Sequence, residues 1–484
     1  MMTRTFAISL LVSLLGILAA ACDDDGSASA TDAGPDGDTD SDSDTDGDTD
    51  SDTDSDTDSD TDSDTDGDTD PNILPESFTR YVVDAECNGA AWVSIGDVTG
   101  DDQPDLVVSA FGTLSDVQMR GSLYIYEFDG DLDTWSRTAV VEQASDLKFP
   151  NQNKLVDLND DGALDIIVPG GFLACTMGGL AGGCGSLSWW ENNGDGTSWT
   201  RHDIVPYGSD LFYHGVQLVD LDDDGIDDLM TVGEEMGSGF PAGPDQAVAG
   251  WFKGTGTGDQ FETTPRVMGE GLGSLPVAMD IDEDGDVDFA SGEYFVEGGS
   301  FAWMEQTEAP STTNPAGVWE RRVIDNTVGP AIMFALVDDL YGDGVTRGVG
   351  SNHTNVNDGD PESAVYVYDI PADDQTAPWD RTKISEGIVS VAGTAMSPMA
   401  APGVFGWGDV DGDGDMDIPL SGDGDKRFFI LEQLSPGVFT TTVIEDPLGQ
   451  AGGMKVVDLD GDGNAEVVVT GYEANAVAVY EWEG

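Results

Sequence analysis

Residues 409–417 read Asp-Val-Asp-Gly-Asp-Gly-Asp-Met-Asp. Asp409, Asp411 and Asp413 hold positions 1, 3 and 5, and Asp417 holds position 9. Alternate carboxylates on a tightly curled loop converge on one point. Gly414 at position 6 permits the sharp turn that residues with a Cβ resist. The carbonyl of Asp415 at position 7 can add a backbone oxygen. Six to eight hard oxygens at about 2.3–2.6 Å are what a calcium ion takes. Without a cation the same carboxylates repel one another. The loop therefore reads as a calcium cage.

The motif returns seven times, starting at Asp97, Asp157, Asp220, Asp280, Asp339, Asp409 and Asp458. Successive starts are 60, 63, 60, 59, 70 and 49 residues apart. Such a period accommodates four short strands and their turns, which is one propeller blade. The flanks agree. An apolar run precedes most loops, as in Val216–Val219 and Met454–Val457, and another follows, as in Ile166–Val168 and Val467–Val469. Short β-branched runs between turn residues predict buried strands. An aromatic strand comes next (Tyr124–Tyr126, Trp189–Trp190, Trp251–Phe252, Tyr366–Tyr368). A fourth strand then opens on an aromatic residue, as in Trp199–Ile204, Trp319–Ile324 and Trp379–Ile384.

The two ends of this array complement each other. The last repeat stops after its third strand, at Tyr480–Gly484. An orphan fourth strand, Phe78–Val83, precedes the first loop. Pairing them completes the last blade and closes the ring, leaving only short edges. The fold class predicted is all-β: a seven-bladed β-propeller closed by its N-terminal strand.

An EF-hand is excluded, because that loop needs Glu at position 12 between two helices. Position 12 here is Leu420, Val168, Thr231, Ser291 or Val469, and the flanks are strands. The pattern instead resembles the FG-GAP or VCBS repeat family and is similar to the propeller at the head of integrin α-subunits. The resemblance covers roughly residues 76–484. It rests on the D-x-[DN]-x-D-G-x-x-[DE] loops, the apolar strands after them and the stretch Trp189–Gly196. It implies that each loop joins the first and second strands of a blade and binds Ca2+. Carried over by motif, the ligands are Asp157, Asn159, Asp161 and Asp165; Asp220, Asp222, Asp224 and Asp228; Asp280, Asp282, Asp284 and Asp288; Asp409, Asp411, Asp413 and Asp417; and Asp458, Asp460, Asp462 and Glu466. Two copies depart. The first has Thr99 at position 3 and Asp102 where Gly belongs, which leaves its site open. The fifth has Tyr341 at position 3 and Arg347 at position 9, and a cation in a ligand position excludes calcium.

Charge and targeting set the context. The 484-residue chain has a formal net charge of −79, which argues against nucleic acid, since a polyanion releases no counterions from phosphates. Arg4 and the apolar run Phe6–Leu18 read as an export signal. Ala19-Ala20-Ala21 before Cys22 resembles a bacterial lipobox, which implies lipidation of Cys22 and a membrane anchor; cleavage as an ordinary signal peptide is the other reading. The organisation expected is a signal peptide over 1–21, a disordered Asp/Ser/Thr-rich tether over 22–75 and the propeller over 76–484. The tether alternates Ser-Asp-Thr-Asp with nothing apolar to bury. Export permits disulfides. Cys175 and Cys184 flank a Gly-rich stretch that a disulfide between them could close, which leaves Cys87 over. No C-x-x-C pair supports zinc.

No catalytic motif stands out. The three histidines, His202, His214 and His353, fall in no H-E-x-x-H, and there is no G-x-S-x-G. The better candidates for function are insertions at Gly170–Gly185, Gly233–Gln246, Ser351–Ser363 and Ser390–Gly403, which carry apolar residues in polar, Gly-rich surroundings. The function expected is a non-catalytic cell-surface module for adhesion or for binding a protein or glycan ligand; the alternative is a calcium-dependent carbohydrate-active enzyme such as a polysaccharide lyase. A lyase needs a basic residue beside its metal, and Lys426 with Arg427 is the nearest pair to an intact loop.

Overall fold

A computed structural model describes residues 77–113, 120–171, 183–235, 246–355, 360–372, 377–390, 400–445 and 447–484. Cys22, the tether and Cys175 lie outside these residues.

Among the described residues seven antiparallel sheets, one per acidic loop, form the blades, and a two-stranded ribbon stands apart from them. Blade 1 is Ala90–Gly96, Asp105–Ala110, Gly121–Phe128 and Trp135–Ala144. Blade 2 is Lys154–Val156, Asp165–Gly170, Gly185–Asn192 and Trp199–Ser209. Blade 3 is Phe212–Val219, Asp228–Glu235, Gln246–Phe252 and Arg266–Glu270. Blade 4 is Val277–Met279, Asp288–Gly292, Phe301–Glu308 and Val318–Asp325. Blade 5 is Ala331–Val337, Arg347–Asn352, Val365–Asp369 and Asp380–Lys383. Blade 6 is Ile418–Ser421, Phe428–Ser435 and Val438–Glu445. Blade 7 is Met454–Val457, Glu466–Gly471 and Ala476–Trp482, completed by Phe78–Asp84.

That last pairing is the closure expected from the two chain ends. Phe78 lies opposite Trp482 and Tyr81 opposite Val479, and the rings of Phe78 and Trp482 meet edge-on at 5.0 Å. On the other side blade 1 leans on blade 7. Gly453 donates its backbone N–H to the Ala91 carbonyl at 2.8 Å. Val93, Leu106 and Tyr126 pack with Leu459, Val468 and Val479 in one buried cluster.

Apart from Glu235, each second strand is buried along its whole length, as in Asp105–Ala110 and Glu466–Gly471. The outer strands are mostly half-exposed, as in Trp135–Ala144. This is the burial a radial stack of sheets imposes, because the middle strands are covered by neighbouring blades on both faces. The large side chains between blades are the aromatic residues of the third strands, among them Trp189, Trp251, Trp303, Tyr368 and Tyr480, all fully buried.

Blade 6 departs from the regular plan. Its inner segment, Phe405–Gly408, makes only two bridges, Phe405 to Leu420 and Gly408 to Asp417. Gly403, Gly406 and Gly408 supply little side chain to hold a strand there. A two-stranded ribbon that sequence patterning did not anticipate pairs Thr354–Asn355 with Ala400–Ala401.

Antiparallel pairing fixes two faces. The acidic loops join first and second strands, so all seven emerge at one end of the blades. Three of the four insertions interrupt a connection between second and third strands, and Ser390–Gly403 lies between blades 5 and 6. Their ends emerge on the opposite face.

Candidate metal centres

Within each loop the carboxylates are oriented by backbone N–H groups. In blade 6 the position-1 residue Asp409 accepts from Gly412 N at 2.8 Å and Gly414 N at 3.1 Å. Asp413 accepts from Asp415 N at 2.9 Å. The position-9 residue Asp417 accepts from Val410 N at 3.0 Å and, across the sheet, from Gln433 N at 2.9 Å. Asp165, Asp228 and Asp288 make the same pair of bonds, to the position-2 N–H and to the third-strand side of the blade. The position-9 carboxylate thus clamps the loop to the sheet.

The backbone requires two left-handed residues per loop. Position 6 has φ between 74° and 103° at Gly162, Gly225, Gly285, Gly344, Gly414 and Gly463, and Asp102 takes it at 67° in the first loop. Position 4 is left-handed as well. Glycine supplies it at Gly100, Gly342, Gly412 and Gly461, but Asp160, Asp223 and Glu283 supply it in blades 2–4.

Four loops bring three carboxylates together, with ligand oxygens within 4.8 Å of one another: Asp220, Asp222 and Asp228; Asp280, Asp282 and Asp288; Asp409, Asp411 and Asp417; Asp458, Asp460 and Glu466. These are positions 1, 3 and 9. The position-5 residues Asp224, Asp284, Asp413 and Asp462 stand outside the groups and cap the backbone N–H of position 7. Loop 2 has Asp157 and Asp165 with the amide of Asn159 between them, and Asp161 capping Ala163 N. In loop 1, Thr99 turns its hydroxyl onto Asp105 at 3.1 Å, so position 3 donates there instead of accepting. In loop 5 the Arg347 guanidinium takes both oxygens of Asp343, at 2.7 and 2.8 Å, as its position-9 charge implied.

The electrostatics favour a cation. Burial, together with nearby carboxylates, pushes Asp165 up to about 6, and Asp288, Asp417 and Glu466 up to about 7, despite backbone hydrogen bonds that act the other way. Glu466 Oε1 is buried without a hydrogen-bond partner. Hard oxygens, excess negative charge and an orphaned carboxylate oxygen fit a divalent hard cation.

A further set of acids escaped sequence reasoning. The register of second and third strands places Glu127, Glu191, Glu305, Glu432 and Glu481 across from position 9 in blades 1, 2, 4, 6 and 7. Their signal is the acid that follows the buried aromatic or apolar pair of each third strand (Trp190-Glu191, Met304-Glu305, Leu431-Glu432). Blade 5 has Asp369 there, bonded to Arg347 at 3.1 Å. Blade 3 has Lys253, whose Nζ reaches Asp222 at 2.5 and 2.7 Å and Asp224 at 2.6 Å.

Residues 409–469 match the model of a family described as an FG-GAP-like repeat. The chain is a seven-bladed propeller that carries an FG-GAP-like repeat across its sixth and seventh blades. The matched segment runs from the first residue of the sixth acidic loop into the second strand of blade 7, so it contains two of the four three-carboxylate groups. Two crystal structures of BBS1N in complex with ARL6DN, one soaked with lead and one with mercury, are similar to the chain. Each is 9% identical, with TM-scores of 0.44 and 0.42, covering 84% and 85% of this chain and 96% and 97% of theirs. No curated protein matches the sequence.

The remaining candidates of the propeller are accounted for by packing. His202 stacks on Trp189 at 4.2 Å and bonds Glu191 at 3.0 Å. His214 bonds the buried Glu234 at 2.7 Å, and His353 bonds the Pro402 carbonyl at 2.7 Å. Lys426 and Arg427 pair with Glu473 and Asp425. Cys184 is disulfide-bonded, and Cys87 is free and buried.

Proposed function

We propose that the chain is an exported, lipid-anchored propeller that holds Ca2+ in the loops of one face and binds a protein or glycan ligand with the other, at a cell surface and without catalysis. The observation that carries this reading is the division of labour between the faces. Carboxylates converge on one end of the blades, while the insertions open from the other. The insertion face also carries half-buried rings: Tyr294 meets His353 at 5.4 Å, and Phe111 meets Tyr472 at 5.6 Å. Aromatic residues of this kind give contact area at low entropic cost. Asp157, Asn159 and Asp165 would hold calcium in blade 2, with the same positions 1, 3 and 9 doing so in blades 4, 6 and 7. Blade 3 would do so in competition with Lys253.

The test is a protein and glycan binding array probed with the full chain, with calcium and with chelator. Capture of a defined ligand in calcium supports the reading. Depolymerisation of a polysaccharide in place of stable capture would sink it in favour of a calcium-dependent carbohydrate-active enzyme.

A further inference from the structure

The propeller axis holds a second charged feature, of opposite sign. The chain has 96 acidic residues against 17 Lys and Arg, yet two of its lysines line one cavity at the inner strands of the blades. Lys154 and Lys455 each lie three residues before the first Asp of their acidic loop, in blades 2 and 7. The same position is Ser94 in blade 1, which lies between them, and Gln217 in blade 3. These four side chains form a polar arc on that cavity. Lys154 Nζ donates to Gln217 Oε1 at 3.2 Å, and Ser94 Oγ to the Asn153 carbonyl at 2.7 Å. In blades 4 and 6 the position is apolar, Val277 and Gly406.

A cavity of about 420 Å³ opens on this arc, and Trp92 and Val456 complete its apolar wall. Neither lysine has an ion pair among the described residues. The carboxylate acting on Lys154 is that of Asp227, which is exposed in the third loop, and the charge acting on Lys455 is that of Lys154. Burial holds both ammonium groups below the usual lysine value, and Lys154 adds its repulsion at Lys455. Two cations on one cavity without a counter-charge are unfavourable until an anion enters. The volume suits a small organic molecule and exceeds what a lone inorganic anion fills. The apolar wall asks for a ligand with a carbon body.

We propose that this cavity binds a small organic carboxylate, its anionic head between Lys154 and Lys455 and its body against Trp92 and Val456. The site is independent of the calcium loops. It also sets a selectivity rule. The acidic exterior repels anions at long range, so an anion is held only where local fit outweighs that field.

The experiment is thermal shift and calorimetry on the full chain in calcium buffer, with acetate, galacturonate, sulfate and uncharged galactose as probes at about 10 mM, where a ligand present at about ten times Kd gives a measurable shift. A carboxylate should raise Tm and galactose should not. The double variant K154M/K455M should bind that carboxylate at least about tenfold more weakly, the loss expected when a charge-assisted contact is removed. If the double variant does not fold, Lys455→Gln alone should weaken binding severalfold. A shift that survives these substitutions overturns the proposal. So does the absence of any carboxylate effect, or a response to sulfate alone.

Discussion

Lys253 stands across the sheet from Asp228, one step beyond the Leu229–Phe252 pair, and its ammonium lies within 2.5–2.7 Å of carboxylate oxygens of Asp222 and Asp224. The equivalent residue is a glutamate in blades 1, 2, 4, 6 and 7. Blade 3 therefore carries its own cation at a loop whose acids otherwise match the metal-binding pattern. In blade 5 the arrangement is reversed, with Arg347 on the second strand and Asp369 on the third. Lys253→Glu should raise the number of calcium ions bound per chain by one, or tighten the weakest site about tenfold. Titration calorimetry reads both, and an unchanged isotherm would refute the competition.

Chelation should lower Tm by many degrees. Several loops each lose a neutralising ion, and their carboxylates, already crowded, are left facing one another. Asp417→Asn should reproduce part of the loss in calcium and show a smaller response to chelator. A melting temperature indifferent to EGTA would end the case for calcium as a structural ion.

The chelated protein should also carry an inverted pH dependence. Asp288, Asp417 and Glu466 are raised to about 7 in the fold, against ordinary carboxylate values near 4. A raised group contributes its stability below the unfolded value and loses it as pH climbs through the folded value. Without calcium, this contribution should fall between about pH 4 and pH 7. With calcium the ionised form is the bound form, so proton release on calcium addition should be larger at pH 6.5 than at pH 8. Equal release at both would contradict the assignment.

Glu283 occupies a left-handed position, φ 60°, that glycine fills in blades 1, 5, 6 and 7. Glu283→Gly removes that strain, worth about 1–2 kcal/mol, at an entropic cost of about 0.5–1 kcal/mol. A gain of up to about 1 kcal/mol in denaturant unfolding is expected. A loss would mean that Glu283 serves the site itself.

Phe78→Ala should cost about 3–5 kcal/mol, the usual price of emptying a buried aromatic site. Phe78 is buried against Trp482 in the blade that closes the ring. Hydrogen exchange should show protection lost first along Ala476–Trp482, and uniform loss across all blades would argue against a local latch.

Much of this architecture was legible in the sequence because it is periodic. Seven turn motifs, most of them followed by an apolar run, left little choice of fold, and the strand spare at Phe78 matched the one missing after Trp482. The position-1, 3 and 9 acids could be read because they lie within nine residues of one another. Glu305 and Lys253 could not, since their place beside the loops depends on a register between strands well separated in sequence. The left-handed backbone at position 4 was hidden for a related reason: Asp160, Asp223 and Glu283 adopt it without the glycine that would have announced it. The weak inner segment of blade 6 and the ribbon between Thr354–Asn355 and Ala400–Ala401 depend on packing, which no local pattern encodes.

The pairing of Phe78–Asp84 with Ala476–Trp482 has a mechanical consequence. Any tension transmitted from the N-terminal side of the chain enters the folded body at Phe78, on the outermost strand of blade 7. Six residue pairs, the Phe78–Trp482 ring contact and the side-chain bonds of Arg80, Tyr81 and Asp84 hold that strand in place. Under load the propeller yields first at its seam, releasing a single strand while six blades keep their full complement of neighbours within the sheet.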